Sequence, residues 1–197
     1  MSYTEIFAFN KDGLCCEEYA IKNAWAGAMA VWGILEEKYL PPYRPRYVPD
    51  GMSMDEFAQR FGFKPSRLSI GLATERESPA IEIWNLFENE AVPMNDRIVL
   101  GTTFDQVLIR RDEIGKVIRA FRSFAGKTNL KEQADILNEI MKNEEISAVG
   151  WNQTSVNADT WMTGGGLSDN NEGCLPYNYQ KQDDHWWLFD ELEGNDK

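Results

Sequence analysis

The sequence predicts an α+β fold: a mixed or mainly antiparallel small sheet packed with helices, with one long N-terminal helix central to the core. Three observations carry that expectation. Strand-like runs come in hairpins, TEIFAF and LCCEEY around the turn residues NKDG, then RIVLGTTF and QVLIRR around Phe104 to Gln106. Runs of helical period lie between the strands, and no internal repeat appears. All 197 residues are expected in one such domain, with a possible inserted helical lobe over 41–95.

After the first hairpin the periodicity predicts a helix over 19–39. Ile21, Trp25, Ala28, Trp32, Leu35 and Tyr39 recur at steps of three and four, within about 80° of one another at 100° per residue. The opposite face carries Ala26, Gly27, Ala30 and Gly33 where a surface helix shows Lys and Glu. A second element of the same chain is expected there, with a homo-oligomer through Ala26, Ala30 and Gly33 as the alternative. The four prolines of PPYRPRYVPDG make residues 41–51 an extended connection. Ser53 to Glu56 reads as a capping box opening a short helix ended by Gly62, and Ser78 with Pro79 opens another over AIEIWNLFEN. After the second hairpin, helices are predicted from about Asp112 to Phe124 and from Asn129 to Met141. ISAVGW reads as a buried strand, NQTSVNADT as a polar loop, TGGGLSDNNEG as a flexible loop and HWWLF as a late strand.

The chain carries a formal charge of −12, with 43% hydrophobic and 12% aromatic residues, the mark of a globular protein. The charge is polarised. Residues 168–197 hold eight acids against two lysines, whereas residues 97–122 hold six bases against three acids. The net charge argues against nonspecific binding to nucleic acid or anionic lipid, both of which need a positive field. It suits a basic protein surface, including the nucleic-acid groove of another protein. No apolar run approaches the roughly 20 residues of a membrane span, and MSYTEIFAFNKDG reads as no signal peptide, so a cytoplasmic protein is expected.

The chemistry-bearing residues are sparse. His185 is the single histidine. Zinc would require it with Cys15, Cys16 and Cys174, but adjacent cysteines do not take two corners of one tetrahedron readily. Cys174 with His185 as nucleophile and base lacks a nucleophile elbow and an oxyanion loop. Asp183, Asp184 and Asp190 match no metal loop, and TGGGLSD lacks the lysine of a phosphate cradle. No metal, cofactor or catalytic residue is therefore expected. The row after Trp151 is harder to dismiss: Asn152, Gln153 and Thr154 beside an aromatic platform suit a polar ligand or a protein backbone. The basic face with Arg110 and Arg119 reads either as partner to the chain's own acidic end, the favoured reading, or as an anion site.

The segments NAWAGAMAVWGILEEKYLPPY, RIVLGTTFDQVLI, AVGWNQTSVNAD and HWWLFDEL resemble a family of uncharacterised proteins encoded by phages and prophages of Gram-positive bacteria, the Firmicutes. Ala26, Gly33 and the stretch Gly164 to Gly166 depart from that pattern. The resemblance implies no enzymatic activity and transfers no catalytic residue. It implies a small acidic accessory protein that binds a host or phage protein, for example a nucleic-acid-binding defence nuclease that it would inhibit. Asp183, Asp184, Asp190 and Glu191 are then candidate contacts. A small-ligand, nucleotide-like binder using Trp151 to Thr154 with the basic face is the second expectation, and a hydrolase the third.

Overall fold

The structure, a computed structural model, describes residues 2–40, 79–155 and 177–194, together with 51, 52, 56 and 60. Most of the connection 41–51 and of the first short helix, the loop at 163–169 and Cys174 lie outside the described residues. In chain order the described elements are β1 (Ser2–Asn10), β2 (Cys15–Lys22), α1 (Ala28–Tyr39), α2 (Pro79–Glu88), α3 (Met94–Gly101), β3 (Val107–Arg110), α4 (Ile114–Ser123), α5 (Leu130–Ile140), β4 (Ile146–Ser155), β5 (Trp186–Trp187) and α6 (Leu188–Glu193). A single 3₁₀ turn, Arg111–Glu113, leads into α4. The fold is α+β, with a five-stranded mixed sheet in the order β2-β1-β4-β3-β5. All pairings are antiparallel except that of β3 with β5.

Alternation along the strands divides the sheet into two faces. Ile6, Ala8, Val107, Ile109, Val149 and Trp151 join the helices in the main core. Phe7, Phe9, Leu108 and Ala148 point the other way, into a smaller cluster with Tyr177, against which Cys15, Tyr179 and Trp187 pack. Being apolar on both faces, β1 reads as the continuous run IFAF rather than as an alternating strand. The first hairpin is found as expected, with Gly13 at φ +80° closing the turn. The helices expected near 112–124 and 130–141 are also present.

Four expectations change. The long helix does not form: residues 19–22 belong to β2, and α1 begins at Ala28. Tyr19 and Ile21 alternate inward as strand residues opposite Ile6 and Thr4, so pairing with β1 overrides a three-four spacing that continues by coincidence into α1. The buried residues of α1 are Val31 and Leu35, while Trp25 is 98% exposed. RIVLGTTF lies mostly in α3, preceded by Pro93, and Asp96 to Gly101 are all buried. A short apolar run buried on every side carries no period to separate strand from helix. HWWLF is strand only at Trp186 and Trp187 before α6 starts. That helix brings Leu188 and Phe189 together into the main core, where an extended chain would send them to opposite faces. Finally, Asn152 to Ser155 are not loop but the end of β4.

Residues 79–95 of the expected lobe are tied to the main core. Ile83, Leu86, Phe87 and Val92 belong to it. Arg97 donates from Nε to the carbonyl of Phe87 (2.6 Å), and Asp96 accepts from Lys38 Nζ (2.7 Å) and from the Tyr39 hydroxyl. These bonds join α1, α2 and α3 through polar groups that would otherwise be buried unpaired.

Candidate functional site

The row after Trp151 proves to be part of a buried polar relay. Trp151 is fully buried and donates its indole N–H to Gln133 Oε1 (3.0 Å). Gln133 Nε2 donates to Asn129 Oδ1 (2.8 Å), and Asn129 Nδ2 donates to Asn23 Oδ1 (3.1 Å). The Thr4 hydroxyl lies 2.7 Å from Asn23 Oδ1 and 2.9 Å from Gln153 Oε1, its one proton serving either. The main-chain N–H of Gln153 donates to Asp105 Oδ1 (2.7 Å). Asn152, 7% exposed, points to the other face near Glu5, and Thr154 lies opposite Tyr3 in the β1–β4 ladder. The ring of Trp151 thus belongs to the core, and the amides beside it hold β1, β4 and α5 together.

The same relay positions a turn that sequence reasoning missed. Between β2 and α1, Ala24 and Trp25 both have positive φ, 42° and 68°, a conformation that costs an L residue roughly 1–2 kcal/mol. The turn is tied at each side. The N–H of Asn23 donates to Ser2 O (3.0 Å), that of Ala26 to Asn23 O (2.6 Å) and that of Asn129 to Ala26 O (2.8 Å). Gly27 is held so close that a Cβ there would stand 2.3 Å from Asn23 Cγ. Trp25 projects from this fixed frame 98% exposed, and Met29 in the first turn of α1 is 57% exposed. Of the small residues expected to be covered, Ala26 is approached by the chain's own Asn129. A Cβ at Gly33 would meet nothing within 4 Å.

The polarised charges meet within the chain. Arg110 forms a two-point pair with Asp190 (2.9 and 2.8 Å) and reaches Glu113 (3.4 Å), and Lys116 lies 3.6 Å from Glu193. Bonds to Asp190 raise the Arg110 pKa above its ordinary value, whereas burial raises that of the Glu113 carboxyl. Arg122 pairs instead with Asp135 on α5, and Arg119 is exposed without an ion pair among the described residues. Asp183 and Glu191 are exposed. Asp184 accepts the Tyr177 O–H (2.7 Å); with that proton spent, His185 Nδ1 donates to the phenol oxygen (2.9 Å). Burial, then the bond to Asp184, pushes the Tyr177 phenol far above its usual pKa. His185 stands edge-on to Tyr177, Tyr179 and Trp187, an aromatic setting at the start of β5.

Where β3 ends, a groove of about 780 Å³ opens, lined among others by Arg111, Gly115, Ser147, Tyr179 and Trp187. Arg110 stacks over the Trp187 ring at 4.5 Å. Tyr179 shares a hydrogen bond with Ser147 (3.0 Å), whose hydroxyl also lies 2.5 Å from Asn10 O. The structure thus brings Arg110 and Asp190 together near this groove and leaves Trp151 and Asn152 buried elsewhere. The groove draws Arg110, Arg111, Asp112 and Gly115 from one local stretch, but its other walls come from distant segments that no local pattern links. Among the described residues no group of three or more His, Cys, Asp or Glu is placed to hold a metal ion, and no helix is long and apolar enough to cross a membrane. No family model, no curated protein and no solved structure matches the chain.

Proposed function

We propose that the protein is a non-enzymatic binding factor, a phage-derived accessory protein that acts in the host cytoplasm by docking on a host or phage protein with a basic, nucleic-acid-binding groove. The observation that carries the docking is Trp25. A tryptophan held almost wholly in water on a hydrogen-bonded turn has its backbone already in place, so little loop entropy remains to be lost on association. Tryptophan is also the residue type that most often dominates interface energies. Met29, in the first turn of α1, is exposed as well. The net charge of −12, with Asp183 and Glu191 exposed, favours a basic partner over an acidic one. The setting rests on the resemblance of the sequence to phage and prophage proteins.

The test is capture from host lysate with wild type and Trp25→Ala at rising salt. Wild type is expected to retain a basic protein at low ionic strength and release it as salt rises. Trp25→Ala should lose it while unfolding at the same urea midpoint, because an exposed side chain contributes less than about 0.5 kcal/mol to stability. No capture at low salt, or capture that neither salt nor Trp25→Ala weakens, overturns the reading.

A further inference from the structure

We propose that the groove at the end of β3 is an oxyanion-binding site, with Arg111 as its principal donor. Three observations converge there. The first is the state of Arg111. Its Nη1 donates to Asn143 O (2.6 Å) and Ile146 O (3.1 Å), and its Nη2 donates to Met141 O (2.8 Å). These carbonyls, at the end of α5 and the start of β4, fix the guanidinium without neutralising it. No carboxylate pairs with it among the described residues, unlike Arg110 beside it. A guanidinium has five N–H donors. Three are spent, so Nε–H and one Nη2–H remain on a positioned cation, suited to the oxygens of a phosphate or carboxylate.

The second observation is Gly115. A Cβ at this position would meet only Arg119 Nη1, at 3.6 Å, an ordinary contact. Its φ is not positive, so neither packing nor backbone requires glycine. A helical glycine nevertheless costs stability relative to alanine. What the missing side chain leaves is space in the groove that Gly115 and Arg111 both line. The third is placement. The helical run from Arg111 through α4 begins at the groove with Asp112 and Glu113 already in its first turn, the Glu113 carboxylate accepting the Arg110 N–H, so the Arg111 guanidinium rather than the helix end is the group left to meet an anion.

Asp112 and Glu144 also line the groove and are exposed, whereas the Arg110 charge is matched by Asp190 and Glu113. The geometry therefore favours a ligand carrying one compact oxyanion over a polyanion. The groove is open to solvent, and Tyr179 and Trp187 supply apolar wall for a body attached to that anion.

The full chain is titrated with inorganic phosphate, AMP and acetate, followed by calorimetry and by thermal melting. Saturable binding with a rise in Tm is expected. AMP tighter than phosphate identifies a phosphate ester on a larger body; acetate equal to or tighter than phosphate identifies a carboxylate. Gly115→Glu places a carboxylate in the groove without touching Arg111, and should weaken binding by at least about tenfold while Tm stays equal or rises. Arg111→Lys should weaken binding similarly. Absence of saturable binding by all three probes overturns the proposal. So does binding that Gly115→Glu leaves unchanged, or an Arg111→Lys effect confined to Tm, which would leave the arginine a purely structural cap.

Discussion

Asn23 ends a strand, starts a turn and joins two layers with one amide. Its Oδ1 accepts from Asn129 and, with Gln153, shares the Thr4 hydroxyl, while its Nδ2 donates to Ser2 Oγ (3.2 Å). Asn23→Ala would strand these buried groups beside a new void, and each unpaired buried polar group costs about 1–3 kcal/mol. The variant is expected to lose about 2–4 kcal/mol in urea unfolding, with hydrogen exchange rising at Ala26 and Asn129, whose N–H groups close the turn. None of this was legible in sequence. The three-four spacing placed Asn23 inside a helix, and its side-chain partners lie at positions 2, 4 and 129, which no local pattern links. The same holds for Trp151: its aromatic character and its neighbours' amides were visible, but whether they faced a ligand or each other depended on α5 folding over them.

Elements fared according to how much their period could say. Helices α4 and α5 were legible because each has one apolar stripe and one charged face; of the basic residues, Arg110 and Lys116 meet acidic groups of α6, whereas Arg122 pairs with Asp135 and Arg111 with carbonyls. Helix α3 was not, because it is buried nearly all round. It is packed closely enough that a Cβ at Gly101 would stand 2.2 Å from Leu188 Cδ1 and 3.0 Å from Phe87 Cε2. Gly101→Ala is therefore expected to cost about 1–3 kcal/mol despite its gain in helix propensity. Adding Leu188→Ala should cost less in that background than in wild type, a non-additivity that a double-mutant cycle measures. A simple sum of the two losses would show that α6 does not rest on Gly101.

At the scale of the molecule, acid sensitivity follows from where carboxylates are held. Glu17 accepts from Tyr19 (2.7 Å) and from Asn143 (2.9 Å), bridging β2 to the end of α5. These bonds lower its pKa below the ordinary 4.5. A lowered carboxylate contributes stability that is present above the unfolded value and lost as pH falls through the folded one. Glu17→Gln is thus expected to flatten the decline in stability below pH 4.5; melts of both proteins across that range check it, and parallel curves would contradict it. The α+β class was legible because the first hairpin is marked by its turn and runs of helical period follow it in the same chain. The order of strands was not, since it depends on contacts between distant segments. That order has a consequence for how the chain is made. The sheet's central ladder joins Ser2–Asn10 to Ile146–Ser155, and its last partner is Trp186–Trp187. During synthesis the first hairpin leaves the ribosome early, with Phe7 and Phe9 on one face and Ile6 on the other, and waits uncovered until most of the chain has followed. A long-range closure of this kind folds slowly, and in the interval the segment IFAF is exposed apolar strand of the kind that makes a nascent chain prone to aggregate.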